Sequence, residues 1–461
     1  MMQFKMAARH ALGTTVFFAT FATLATVPTI PAAAQEHAPA SGAVTLRDYT
    51  AAVATYSLDL QMQRENVLSA QAGVSIAAVR PDPVLTAGID SKELYGPNKP
   101  NAPTATIAGL ALTVETAGKR SQRIRTAQAM VRLDEVTLDG GRRQLYADAV
   151  AAYAESCRAR DALTRQEATL RALTEIVNAN GVRRKAGDIG GLELAQSQVE
   201  RDRFEADVAT ARALVQTAAE SLSIPLGRRY SEVFGNAELA CDAPLAEGLD
   251  DVDALVHQAD EARDDIRIAR AGLDAARAGA DLAQANRWVD PVVNVSLKNT
   301  PSVHSLLDAA GNVSNAPAQR SLSLGLTVSV PIPLSRTQRG EVLQAQSAVT
   351  QATLALRAAE LKAQTDVRRT HAMFRAALAN EQRYRASVLV NADKVADGMR
   401  LAYRKGAASL LELLSSRRAA DEAHLAYLQA VADLTTATVQ LQLAAGMTPE
   451  IVPGVQQARQ Q

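Results

Sequence analysis

The residues with the most pointed chemistry in this chain are carboxylates that follow two glycines. Gly187 is followed by Asp188 and then Glu193, and Gly406 is followed by Glu412, with Tyr403 just ahead of it. If each glycine reverses a helix, these acids fall in the first turns of the returning helices. There they either favour the positive end of the helix dipole or, if several copies assemble, form a ring of carboxylates that attracts cations and repels anions. The sequence leaves both roles open. The neighbouring cations Arg183 to Lys185, and Arg404 with Lys405, read as solvated.

Ordinary catalytic and metal-binding patterns are missing. Histidines stand at positions 10, 37, 257, 304, 371 and 424, with no HxxxH spacing and none beside a cysteine. Asp253 and His257 are one helical turn apart, but two ligands do not make a site, and the acids from Asp250 to Asp253 suit a helix N-terminus. No Gly-x-Ser-x-Gly turn is present, so neither an enzyme nor a cofactor is expected. Cys157 and Cys241 are the two cysteines, which permits one disulfide in an exported chain or two free thiols.

The elements that position these residues come from a chain of 461 residues in which 49 Lys+Arg balance 49 Asp+Glu. That balance offers no basic field for nucleic acid, and aromatics at 4% offer no stacking platform. Lys5 and Arg9 precede an apolar run from Ala11 to Val27, and Pro31 to Ala34 supplies small residues for cleavage. Residues 1–34 therefore read as a secretory signal rather than a membrane anchor, because the run is short and closed by Pro28. Gln35 in place of a cysteine gives no lipid-attachment point. No later stretch is long and apolar enough for a transmembrane helix, although a β-barrel would not show one.

The chain is written twice. Leu192-Glu193-Leu194 after Gly187 recurs as Leu411-Glu412-Leu413 after Gly406, an offset of 406 − 187 = 219, and Gly227 recurs as Gly446 at 446 − 227 = 219. Asp82-Pro83-Val84 recurs as Asp290-Pro291-Val292 at 290 − 82 = 208. Two copies make a duplicated domain rather than a solenoid, with repeats expected at 35–240 and 241–461. Each begins with an Ala-rich helix, Leu46 to Val79 and Val252 to Asn286, which ends before Asp-Pro.

After each Asp-Pro the period becomes two, which predicts strands at about 83–90 and 105–114, and at 291–298 and 321–330. Leu322, Leu324, Leu326 and Val328 alternate with Ser321, Ser323, Gly325 and Thr327 over the length of a tilted membrane strand. Two hairpins in a soluble sandwich would show the same alternation. Helical hairpins follow at 119–224 and 335–445. From Lys119 to Ala186 no proline interrupts the chain, and a continuous helix would reach about 100 Å. Val131, Leu138, Leu145, Ala152 and Ala159 make one seven-residue series, and Ala149, Ser156, Leu163, Leu170 and Val177 a second, so more than one helical neighbour is expected.

This arrangement resembles the TolC-like outer-membrane efflux proteins over essentially the whole mature chain. Within them, Val114-Glu-Thr-Ala-Gly118-Lys119-Arg120-Ser-Gln-Arg123 is similar to the Glu-Thr-x-Gly-Lys-Arg segment of CzcC-like heavy-metal members, with Val330 to Glu341 as its second-half counterpart. The resemblance implies a mainly α fold with a membrane β-barrel contribution. Three protomers would each give four strands to one barrel, continued by an α-helical periplasmic tunnel. It further implies outer-membrane lipid around the barrel, a periplasmic adaptor, an inner-membrane RND pump, and export of heavy-metal cations. Multidrug or solvent efflux and type I secretion channels share the fold, and a periplasmic coiled-coil scaffold is the reading from another class.

The resemblance also places Glu412 on a position that lines the tunnel aperture and Tyr403 on one that constricts the closed channel. The basic residue that in the family often follows the second glycine and pairs with that tyrosine is absent from Ala407-Ala408, which leaves Arg404 and Lys405, or Arg183 to Lys185, as its substitutes. Gly118, Lys119 and Arg120, with Arg339 and Gly340 in the second half, are expected at the barrel-to-tunnel transition, the glycine as a permissive backbone and the cations at the membrane boundary.

Overall fold

The structure is a computed structural model and describes residues 42–91, 104–241, 244–245, 249–301, 320–332, 338–448 and 452–453. The expected signal at 1–34, together with His37 and His304, lies outside the described residues. The first half runs α1 (Leu46–Tyr56), α2 (Leu58–Ala78), β1 (Val84–Ser91), β2 (Ala105–Thr113), α3 (Lys119–Ala186) and α4 (Gly191–Ser221). Short helices α5 (Ser223–Leu226) and α6 (Tyr230–Phe234) and strand β3 (Pro244–Leu245) lead to the second half. There the order recurs as α7 (Val252–Ala262), α8 (Asp264–Ala285), β4 (Val292–Thr300), β5 (Ser321–Ser329), α9 (Arg339–Arg383), a π-helical turn (Tyr384–Val388), α10 (Leu389–Arg404) and α11 (Leu410–Ala444). Strand β6 (Val452–Pro453) pairs with β3.

The four long strands form one antiparallel sheet in the order β1-β2-β4-β5, so the two halves meet at β2 and β4. Because strand side chains alternate, the register sorts the sheet into two chemically different faces. Leu85, Leu110, Val295 and Leu326 stand in one row across the sheet, while Thr86, Gly109, Ser296 and Gly325 form the neighbouring row on the other face. The apolar face is open: Leu85 is 77% exposed, Leu324 73% and Leu326 71%. A soluble sandwich would bury that face under a second layer. Among the described residues β1 and β5 each keep one unpaired edge.

Helix α3 runs unbroken for 68 residues, with Arg183, Arg184 and Lys185 in its last turn, where cations favour the dipole. It packs on α2, α4, α8 and α11, which accounts for its two series of buried and half-buried residues. Its second-half counterpart is instead α9, the π turn and α10 in sequence.

Each short leading helix differs from the continuous one expected. It breaks without proline or glycine, at Ser57 between α1 and α2 and at Arg263 between α7 and α8. Each break packs against a glycine far along the chain. A Cβ on Gly227 would stand 2.8 Å from the Tyr56 carbonyl oxygen, and one on Gly446 would stand 2.7 Å from the Ala262 carbonyl carbon. Gly227, which caps α5, and Gly446, which follows α11, at φ +71° and +73°, thus each pack their backbone on the break in their own half. Beside the first break, Tyr49, Tyr153, Leu222, Leu226 and Phe234 form a core, and the buried Tyr49 hydroxyl donates to the Leu222 carbonyl at 2.8 Å.

Cys157 on α3 and Cys241 form a disulfide with their Cα atoms 5.6 Å apart. Val44 pairs with Leu239 in a parallel bridge, and the Arg160 guanidinium donates to the Leu239 carbonyl at 2.7 Å. These contacts hold the segment between the repeats against α3.

The transition segment differs from a solvated boundary. Lys119 is only 8% exposed and its Nζ lies 2.6 Å from Asp290, two residues before β4. Thr116 donates its backbone N–H to the same carboxylate at 2.8 Å, Arg120 Nε donates to the Ala78 carbonyl at 2.7 Å, and Arg123 forms an ion pair with Glu115. A buried ammonium needs a counter-charge, and Asp290 provides it. Burial opposes ionisation of Asp290, but the Lys119 and Thr116 hydrogen bonds outweigh it and hold the carboxyl below its usual range. Gly118 sits at φ +68°, where a glycine is favoured. In the second half Arg339 and Gly340 open α9 and are exposed, after Gln338 at φ +50°.

Candidate functional site: the helical tips

Both hairpins turn on the same backbone device. At the first, the Asp188 N–H donates to the Arg183 carbonyl at 2.9 Å and the Gly187 N–H to Arg184 at 3.2 Å. At the second, Ala407 donates to Ala402 at 2.8 Å and Gly406 to Tyr403 at 3.0 Å. This pattern requires a left-handed residue, and Gly187 and Gly406 supply it at φ +86° and +73°.

Glu193 and Glu412 occupy the same third position of their return helices, yet they do different things. Ser409 caps α11: its hydroxyl accepts from the Glu412 N–H at 3.3 Å, and the Glu412 carboxylate accepts from the Ser409 N–H at 2.7 Å. That reciprocal box, led by the backbone hydrogen bond, holds Glu412 below its usual pKa and keeps it ionised. Gly190 caps α4 without a side chain to complete such a box, so Glu193 is free to reach elsewhere.

Glu193 reaches Tyr403. The Tyr403 hydroxyl lies 3.0 Å from Glu193 Oε1 and 2.8 Å from Asn180 Oδ1, sharing its proton between two acceptors, and it accepts from Arg183 at 3.1 Å. The Arg183 guanidinium also covers the Tyr403 ring, 5.4 Å from its centroid. Burial and then Glu193 push the Tyr403 phenol above its ordinary value. Four residues thereby tie α10 of the second half to α3 and α4 of the first. Asp188 stays exposed outside this cluster.

Asn180, a buried residue within α3, carried no sequence signal, and Arg183 was one of several nearby cations. Between α4 and α11, Leu192, Val199, Leu411 and Leu414 line a groove of about 380 Å³. Leu192 and Leu411 stand 74% and 73% exposed at its mouth, and Glu200 and Arg418 form an ion pair along it.

The histidines among the described residues lie apart from the tip cluster. His371 contacts the Asp250 carbonyl at 3.2 Å, His424 sits 3.0 Å from Asp393, and Asp251 caps α7 while Asp253 pairs with Arg368. Among the described residues no group of three or more His, Cys, Asp or Glu could hold a metal ion.

A duplicated protomer with one open four-stranded sheet and two long helical hairpins is the architecture of an outer-membrane channel subunit. The chain belongs to the outer membrane efflux protein family, whose sequence profile matches residues 52–228 and 255–447, one stretch in each repeat. It is 21% identical over 392 residues to the cobalt-zinc-cadmium resistance protein CzcC of Cupriavidus metallidurans, covering 84% of this chain and 87% of that protein. A crystal structure of CusC shares the fold with a TM-score of 0.68 at 18% identity, over 87% of this chain and 92% of that one. The CmeC outer membrane channel of Campylobacter jejuni does so with a TM-score of 0.71 at 14% identity, over 87% and 85% of the two chains.

Proposed function

We propose that the protein is the outer-membrane exit duct of a tripartite efflux system, working as a homotrimer and passing heavy-metal cations delivered by an inner-membrane RND pump. The observation that carries this reading is the sheet: one face apolar and exposed, the other small and polar, and two edges without a partner among the described residues. Unpaired edges are untenable in lipid, so four strands must be closed by other copies, and three copies make a twelve-stranded barrel with the polar face inward. Trp288, 68% exposed just before β4, stands where an interfacial aromatic sits at the periplasmic rim. Export by cleavage of residues 1–34 delivers the chain to the periplasm.

Below the barrel the helices form the tunnel, and the tie among Tyr403, Glu193, Asn180 and Arg183 keeps its tip closed. The groove between α4 and α11 is the docking place of the adaptor's helices, with apolar walls and a charged border that suit helix packing. Docking favours an arrangement in which the Tyr403 tie is broken, so opening is a population shift driven by binding energy while transport energy comes from the pump. In a trimer, Glu412 contributes a ring of ionised carboxylates that selects cations. The heavy-metal cargo rests on the likeness to CzcC.

Membrane fractionation with gel analysis of unheated and heated samples tests the channel. A heat-modifiable trimer in detergent-extracted outer membrane is expected. A monomer in the soluble periplasmic fraction would make the protein a coiled-coil scaffold instead.

A further inference from the structure

Inside one protomer an ion pair stands at the base of the β2–β4 seam between the two halves. Lys119, the first residue of the helix that follows β2, meets Asp290, which precedes the proline just ahead of β4, at 2.6 Å. The duplication puts the same two kinds of residue at the outer edges of the sheet. Asp82 precedes Pro83 before β1 as Asp290 precedes Pro291 before β4, at an offset of 290 − 82 = 208. Arg339 is the first residue of α9 after β5 as Lys119 is of α3 after β2, at 339 − 119 = 220. Each follows a left-handed residue, Gly118 at φ +68° and Gln338 at φ +50°.

Asp82 and Arg339 cannot meet within one copy. They flank β1 and β5, which are three strand spacings of about 4.8 Å apart, and both residues are exposed. When the sheet closes, β5 of one copy lies beside β1 of the next, and that seam repeats the inner one: a strand that leads into a long helix beside a strand that begins at Asp-Pro. The faces match as well, because Leu326 and Leu85 belong to the same apolar row.

We propose that Arg339 of one copy pairs with Asp82 of its neighbour, so that a carboxylate–cation pair at the base of each intermolecular seam reproduces Lys119–Asp290. The inference rests on the homotrimeric barrel proposed above. Its work is to fix register. A slip of two residues between β5 and β1 would keep every side chain on its proper face while displacing the helices below, so alternation alone does not specify the seam. A charged pair anchored at the first residue of a helix and at an Asp-Pro start does.

The test is a double variant, Asp82→Cys with Arg339→Cys, in the full chain assembled in outer membranes, with the native cysteines bridged to each other. Mild oxidation is expected to give covalent dimers and trimers on denaturing gels, lost on adding reductant and absent from either single variant. A charge test accompanies it. Arg339→Glu alone should lower the temperature at which the trimer dissociates by several degrees, and adding Asp82→Lys should recover most of the loss. A heat-modifiable trimer whose double-cysteine form gives no interchain bond, together with no recovery by the charge exchange, would overturn the pairing and leave the channel intact. Absence of a trimer for the unaltered chain would overturn the channel and the pairing with it.

Discussion

The Tyr403 hydroxyl lies 3.0 Å from the Glu193 carboxylate, joining residues 210 positions apart across the tips of two hairpins. The reach exists because the two tips are capped differently. Ser409 engages Glu412, whereas Gly190 has no side chain to engage Glu193. Tyr403→Phe removes the donor and leaves Glu193, Asn180 and Arg183 without their common partner. A hydrogen bond to a charged group contributes about 1.5–3 kcal/mol, so the closed-to-open ratio should fall at least about tenfold. Single-channel recording should show a higher open fraction with the trimer intact.

The pH dependence of that tie follows from the raised pKa of Tyr403. A phenol with a raised folded-state pKa contributes stability that is fully present below about 10 and lost as pH rises through the higher folded value. Conductance should therefore be insensitive to this group through the neutral range and rise only in strong alkali. The Tyr403→Phe protein should lack that alkaline rise.

Glu412→Gln separates charge from capping. Glutamine can still accept from the Ser409 N–H, so helix α11 keeps its start and trimer stability should change little. Cation conductance in planar bilayers should fall. Unchanged conductance would return Glu412 to a capping role alone.

Gly446→Ala and Gly187→Ala test whether the glycines serve different ends. Both are left-handed, at φ +73° and +86°, so alanine is strained at each by about 1–2 kcal/mol. At Gly187 nothing lies within 4 Å of an added Cβ, whereas at Gly446 it would meet the Arg263 nitrogen at 2.7 Å. Gly446→Ala should therefore lower the dissociation temperature of the trimer clearly more than Gly187→Ala.

Asp290→Asn should weaken the junction between strand and tunnel. It leaves the buried Lys119 ammonium without its counter-charge, a loss of about 1–3 kcal/mol. Because the Asp290 pKa is lowered, its contribution is present above about pH 4 and disappears as pH falls through the folded value. Thermal stability of the wild type should drop in strong acid, and the Asn variant should lose that part of the acid dependence.

Much of this architecture was legible because two periods dominate the chain. Alternation marked the strands to within two residues at every end, and the proline-free run from Lys119 to Ala186 is the helix observed. The breaks at Ser57 and Arg263 were not legible. They pack against Gly227 and Gly446, more than 150 residues away, and no proline or glycine marks them locally; the Ser57 cap of α2 and the acidic start of α8 are the local traces. The tip residues Tyr403 and Glu193 stood out by position, but their pairing depends on how α10 lies against α4. Lys119 looked like a boundary cation because its partner, Asp290, is supplied by the other repeat.

The most direct measurement of the central claim is growth of a deletion strain, with and without the gene restored, across graded Zn, Co, Cd, Ni, Cu and Ag and a panel of hydrophobic drugs. The expected result is sensitivity to a subset of the metals that the restored gene reverses, with drug tolerance unchanged. Drug sensitivity without metal sensitivity would contradict a heavy-metal duct and make the channel one for organic compounds.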